Sequence, residues 1–280
     1  MEAKRIRDMN NMPEVGVGRP DSAAGEVGLK LERVRSPEPA WHAAEVEPWP
    51  EAVSGELLLN DLRGVLERYV ILPERASEAL ALWIVHTYAA ELRDVSVYVG
   101  IESPVKRCGK TTLLTVLSEL VSRPVVAANI SPSAFFRVIE EVGPTLLIDE
   151  ADTALHKNDE LRGILNAGYK RETAYVVRVG SQGSGGESKG GREASGERGG
   201  LGAESRIARF STWCPKAIAA IGHLPETLAD RCIVIRMQRK TAKEQCERLR
   251  NLKGAELRRQ CARFVLDHGR EISGAQPELP

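Results

Sequence analysis

The sequence predicts an α/β fold: a parallel sheet with helices on both faces, preceded by a small helical hairpin. Three observations predict it. The strand-like run from Val95 to Ile101 leads into a short loop and then into the helix-forming run Leu113 to Val121. A second apolar run, Thr145 to Ile148, ends in the adjacent carboxylates Asp149 and Glu150. Around these, short apolar runs alternate with segments of helical periodicity, the order that parallel strand–helix units require.

Taken along the chain, residues 1 to 50 carry Pro, Gly, Glu and Arg with little apolar periodicity and end in EPWP, which predicts a flexible arm. Residues 51–93 predict the helical hairpin. Leu58, Leu62, Val65, Leu66 and Tyr69 recur at helical spacing, as do Leu80, Trp83, Ile84, Thr87 and Tyr88 in a helix over 76–92, with Pro73 between the two. Residues 94–240 form the core. A strand opens at Val95. A short strand is expected over 125–129, a helix over 132–142 with Ser131 as N-cap and Pro132 in its first turn, and the acidic strand over 145–149. A helix over 159–169 and strands over 217–222 and 232–237 complete the sheet. Between them, 174–179 and 209–213 read as a β-hairpin joined by a Gly/Ser-rich loop, 180–208, that carries Lys189, Arg192, Arg198 and Arg206. Residues 241–280 form a C-terminal helical segment.

Composition narrows the function classes. With 280 residues, 42% of them hydrophobic, the chain can bury one sizeable core. No apolar run approaches the roughly 20 residues that span a bilayer, and the polar N-terminus lacks a signal-peptide core, so a cytoplasmic protein with no membrane partner is expected. Lys plus Arg and Asp plus Glu balance at 39 each, so any nucleic-acid contact must come from a local patch. The five cysteines lack C-x-x-C spacing, which argues for reduced thiols rather than a zinc site or a disulfide framework.

The loop after the first core strand, SPVKRCGKTT over 103–112, carries Gly-Lys-Thr. That tripeptide alone is weak, arising by chance in roughly one chain of this length in ten. Its context strengthens it: a strand before, a helix after, and downstream the acidic strand TLLIDE over 145–150. A loop of inward-facing backbone N–H groups at a helix N-terminus cradles a polyphosphate. A paired Asp and Glu at the tip of a buried strand would be costly without a cation. Together these motifs predict a P-loop NTPase that binds ATP and Mg²⁺. The extra strand between the loop and the acidic strand favours the AAA+/RecA-like branch with an additional central strand and a catalytic glutamate. Pro104 stands where the motif G-x-x-x-x-G-K-[ST] has its first glycine, so the loop entrance must be shaped differently.

The roles divide accordingly. Lys106, Arg107, Cys108, Gly109, Lys110, Thr111 and Thr112 are expected to hold the phosphates, with Lys110 reaching the β- and γ-phosphates. Thr111 and, through water, Asp149 are expected to hold Mg²⁺. Glu150 is the expected base that polarises the attacking water, with an exposed helix-start carboxylate as the plainer alternative. His223 is a candidate γ-phosphate sensor, against a surface histidine at a strand end. Arg231 is a candidate arginine finger acting on a neighbour's site, against an intramolecular pair with Asp230 or another carboxylate. Cys108, between Arg107 and Gly109, is either an oxidation-sensitive thiol or an ordinary loop residue. His156 and Asp152, near the acidic strand, are candidate metal ligands, against solvated or structural roles. Tyr175, Arg178, Arg209 and Trp213 interleave aromatic and basic groups as single-strand platforms do, against an ordinary hairpin packed on the sheet.

The motifs SPVKRCGKTT (103–112), LIDEAD (147–152), NAGY (166–169) and PKAIAAIG with LPETLADR (215–222 and 224–231) resemble an uncharacterised-domain family of P-loop ATPases from phage, prophage and plasmid primase/helicase-like replication proteins. The resemblance covers roughly residues 48–280. It implies a helicase-like or DNA-remodelling ATPase, a homo-oligomer, with single-stranded DNA and a primase or replication module as partners. Pro104 and the Cys-Gly-Lys core resemble that family's own form of the loop. The chain departs from the family in a longer 180–208 loop and in ending where the family continues into further helices, so a truncated member is expected. The alternatives are a nucleotide switch with little hydrolysis and a small-molecule phosphotransferase, for which the sequence offers no acceptor motif.

Overall fold

A computed structural model describes residues 46–128, 131–152, 155, 158–180 and 206–276, the side chains of 179, 180, 206 and 207 excepted. The bulk of the expected arm, His156, Lys189, Arg192, Arg198 and the last four residues therefore lie outside the described residues, as does most of the basic loop.

Seven strands are arranged in two sheets among the described residues. The larger runs β2-β3-β6-β1-β7, formed by β1 (Tyr98–Ser103), β2 (Pro124–Ala127), β3 (Thr145–Ile148), β6 (Lys216–Ile221) and β7 (Cys232–Arg236). Every pairing in it is parallel. The smaller is an antiparallel ribbon of β4 (Tyr175–Gly180) and β5 (Arg206–Ser211). The expected alternation thus stands, with β6 inserted between β1 and the acidic strand β3. The first core strand opens at Tyr98; Val95 instead bridges antiparallel to Lys170.

Strand alternation explains how both faces are buried. Val99, Ile101, Leu147, Ala217, Ala219 and Ile235 point into one core, while Tyr98, Leu146, Ile148, Ile218 and Ala220 point into the other. The first core is closed by α1 (Gly55–Tyr69), α2 (Ala76–Tyr88) and α3 (Lys110–Leu120), with Cys261 of the C-terminal helix. Leu58, Leu62 and Leu66 of α1 and Leu80 and Ile84 of α2 lie in the same cluster as the sheet residues, so the hairpin shares the sheet's core. The second core is closed by α4 (Pro132–Val142) and α5 (Asp159–Ala167) through Phe135, Phe136, Ile139, Leu161, Ile164 and Leu165.

Local chemistry sets the helix ends. Ser131 accepts from the Ala134 N–H and Pro132 occupies the first turn of α4, as its sequence predicts. Asn158 caps α5 by accepting from the Leu161 N–H. The second hairpin helix ends at Tyr88 and passes into a single 3-10 turn, Ala90–Leu92, rather than running to residue 92 as one α-helix. A four-residue α6 (Glu226–Ala229) leads into β7, and α7 (Ala255–Gly274) is the expected C-terminal helix. Among the described residues no helix is long and apolar enough to cross a membrane.

Candidate functional site

Parallel strands bring their C-terminal ends to one edge of the sheet, and there the loop after β1 meets the tip of β3. Gly109 ends the loop in the left-handed region (φ +89°), which a side chain would strain, and α3 begins at Lys110. Arg107 in the loop (φ +65°) and Glu150 after β3 (φ +52°) are two of four non-glycine residues held left-handed among the described residues. Their presence together at one edge marks the place where backbone strain is tolerated.

Lys110 is buried, and its Nζ donates to Ser103 Oγ at 2.6 Å. Ser103 Oγ in turn donates to the Val105 carbonyl at 2.8 Å, which ties the loop entrance to β1 where Pro104 supplies no N–H. An ammonium has three protons to donate, so Lys110 keeps donors for a further acceptor. Thr111 Oγ1 donates to Asp149 Oδ2 at 2.8 Å, and Asp149 Oδ1 accepts the Glu150 N–H at 2.9 Å. The hydroxyl and carboxylate form a pair of hard oxygen donors, the type Mg²⁺ favours when it also keeps water and phosphate ligands. This pair fits the ion expected from the sequence. No cluster of three or more His, Cys, Asp or Glu suited to a metal occurs among the described residues.

Beside the loop lies a cavity of about 430 Å³ lined by Arg107, Cys108, Gly109 and Thr112 on one side and by Tyr69, Val70, Gln238, Lys240 and Glu247 on others. Lys106 is exposed, and its carbonyl accepts from Arg239 Nε at 3.3 Å. Cys108 is buried with only a long contact from its sulfur to the Lys106 carbonyl, which favours the packed loop residue over the exposed, reactive thiol. No disulfide joins the five cysteines, and burial pushes the Cys232 and Cys261 thiols up to about 12. Asp152 accepts the Ile221 N–H at 3.2 Å, joining the segment after β3 to the end of β6.

His223 follows β6 on the same edge. Its ring is largely exposed, yet Nδ1 lies 3.0 Å from Oε2 of Glu102, a buried carboxylate in the interior strand β1. The sequence reading missed Glu102 and Ser103. Glu102 had a signal: a charge inside an otherwise apolar strand run is costly unless partnered.

Arg231 is placed elsewhere. Its backbone carbonyl accepts from the Tyr98 N–H, and the next residue, Cys232, is in register with Tyr98 at the start of β1. The strand length separates it from the β1–α3 loop by about 17 Å, at roughly 3.3 Å per residue. Its guanidinium donates to the Thr227 carbonyl and lies 5.7 Å from the Tyr169 ring centroid. The intramolecular partners are thus a carbonyl and a ring, rather than the carboxylate of the alternative reading.

The ribbon separates its aromatic and basic groups into two sets. Phe210 stacks on Phe136 of α4 at 5.7 Å, Arg178 pairs with Glu160 and lies over Phe136, and Trp213 is buried beyond the end of β5. These belong to the packing. Tyr175 and Arg209 stay accessible, with the guanidinium 3.4 Å from the ring centroid. They border a cavity at the ribbon's root where Arg171 and Arg209 face Glu91 and Glu140, a charge balance that selects neither sign.

No protein-family model matches the chain, and no curated protein matches it in sequence.

Proposed function

We propose that the chain is a Mg²⁺-dependent ATP-binding and hydrolysing protein of the P-loop type, helicase-like or DNA-remodelling in its use of the hydrolysis. The observation that carries this reading is the 2.8 Å contact between Thr111 and Asp149, which brings the loop after β1 and the acidic strand to one point beside the buried Lys110. The insertion of β6 between β1 and β3 supports the additional-strand branch.

In this reading the Lys110 ammonium donates hydrogen bonds from its remaining N–H groups to phosphate oxygens, and loop N–H groups at the start of α3 donate to them as well. Thr111 and, through water, Asp149 would hold the cation, which when bound would neutralise phosphate charge. Glu150 takes a proton from the attacking water. The cavity flanked by Tyr69 and Val70 receives the base, against apolar and aromatic surface. Arg231, on the far edge of its own sheet, reaches phosphate only in a second copy, so its role as a finger requires a homo-oligomer. Single-stranded DNA and a primase or replication module remain the proposed partners. A second reading, a nucleotide switch, is favoured by one feature: Glu150 is exposed, and no hydrogen bond to its carboxylate is found among the described residues.

One assay separates them. ATP turnover with Mg²⁺ is measured with and without single-stranded DNA, beside Lys110→Ala and Glu150→Gln. The hydrolase reading expects turnover that DNA stimulates and both substitutions abolish. Tight ATP binding without turnover establishes the switch, and absence of both binding and turnover overturns the nucleotide reading.

A further inference from the structure

Glu102 is a charged group in an interior strand of the sheet, every residue of which is buried. β1 pairs with β6 on one side and β7 on the other, and Glu102 is only 4% exposed. Burying a carboxylate there costs more than burying an apolar residue of similar size, unless the charge is used. Both of its oxygens are engaged. Oε1 accepts the Leu224 N–H at 2.9 Å, and Oε2 lies 3.0 Å from His223 Nδ1 and 3.7 Å from Arg236 Nε. The three partners converge from the turn after β6 and from β7.

A carboxylate accepts hydrogen bonds and donates none, so the ring nitrogen facing it carries the proton. That leaves Nε2 as the atom turned away from β1. The His223 side chain is 81% exposed, so Nε2 faces outward on the edge that also holds Lys110, Thr111 and Asp149. The turn itself is shaped for this. Gly222 is left-handed (φ +83°), and its N–H donates to the Ser103 carbonyl at 2.8 Å, which brings residue 223 back over the end of β1.

We propose that Glu102 is a positioning residue that holds His223 by Nδ1 and presents Nε2 to the nucleotide's terminal phosphate. The proposal rests on the hydrolase reading for its target, while the anchor itself is independent of it. A purely structural Glu102 would serve only to bind the Leu224 N–H and fasten the turn. Glu102→Gln separates the two roles, because a glutamine oxygen still accepts that N–H while the negative charge that holds the Nδ1 proton is gone.

The test uses the full chain with ¹⁵N-labelled histidine. The His223 signals among the five histidines are identified by their loss in His223→Gln. NMR shifts of the wild type are expected to show a protonated Nδ1, and Glu102→Gln is expected to shift the ring toward the other tautomer. In turnover, Glu102→Gln and His223→Gln are each expected to lower kcat by roughly tenfold or more, with KM for ATP held within about twofold, and the double variant to be no worse than either single one. An unprotonated Nδ1 in the wild type, an unchanged tautomer in Glu102→Gln, or losses that multiply in the double variant would overturn the proposal. If Glu102→Gln does not fold, the wild-type Nδ1 signal and the KM-against-kcat split of His223→Gln decide it. A wild type that does not turn over ATP removes the hydrolase reading, and the NMR arm then decides the anchor alone.

Discussion

Lys110 and Lys216 stand at opposite edges of one sheet, and both are buried, but they are satisfied differently. Lys216 is fully buried at the start of β6, where its Nζ donates to the Thr212 carbonyl at 2.9 Å, the Cys214 carbonyl at 2.8 Å and the Tyr98 hydroxyl at 3.3 Å. The Tyr98 ring lies 4.6 Å from it. Three protons meet three acceptors, and nothing is left to bind a ligand. Lys110 has Ser103 Oγ as its hydrogen-bond acceptor among the described residues. The difference teaches that burial alone does not mark a lysine as structural: the number of protein acceptors decides whether donors remain for a ligand.

The largest expected effect tests the structural member. Lys216→Ala empties a packed position and leaves two carbonyls and a hydroxyl without their donor, at a cost of about 3 to 5 kcal/mol. Urea denaturation should read it as a large fall in midpoint. Lys110→Ala should do the reverse, weakening nucleotide binding by roughly a hundredfold through lost charge-assisted hydrogen bonds while changing unfolding free energy by about 1 kcal/mol or less. Calorimetric titration and urea melts on both variants check the contrast. If Lys110→Ala proves the more destabilising, the comparison fails.

A smaller effect probes the packing around Lys216. A methyl group at Gly168 would stand 2.4 Å from the Thr212 carbonyl oxygen and 2.7 Å from Lys216 Nζ. Gly168→Ala should therefore cost about 1 to 3 kcal/mol by overpacking. Adding it to Lys216→Ala, which vacates part of that space, should cost less than the sum of the two, and a double-mutant cycle by urea melts measures this coupling.

The smallest effect concerns a half-buried base, His86. Burial first, and then the Arg93 charge, hold the His86 pKa below its ordinary value of 6.5, and its Nε2 has no hydrogen-bond partner among the described residues. The folded chain keeps this ring neutral at pH values where the unfolded chain protonates it. The stability it contributes is present above pH 6.5 and is lost as pH falls through the lowered folded value. His86→Gln should flatten the stability profile on that acidic side, as measured by melts at stepped pH. An unchanged slope would show that His86 is not the titrating group.

The contrast between the two edges also shows what was legible in the chain. Gly109, Lys110, Thr111, Asp149 and Glu150 stand out in the sequence because loop chemistry and a strand-tip acid pair are local patterns. The helix start at Ser131 was legible for the same reason, since a cap acts over three residues. The ribbon was legible as two strands, but the division between packed Arg178 and accessible Arg209 was not, because it depends on Phe136 and Glu160 from other helices. Arg231 was legible as a conspicuous basic residue, yet its edge of the sheet was decided by register with Tyr98.

By itself, then, the sequence determined the order of strands and helices, the cap that starts α4, and the residues of the loop and acid pair. These follow from periodicity and from interactions spanning a few residues. Tertiary structure alone decided that β6 enters between β1 and β3, that Thr111 meets Asp149 across 38 positions, and that Glu102 meets His223 across 121. Such contacts arise from the folding of separate strands into one sheet, whose register is set by burial on both faces and leaves no local mark in the chain.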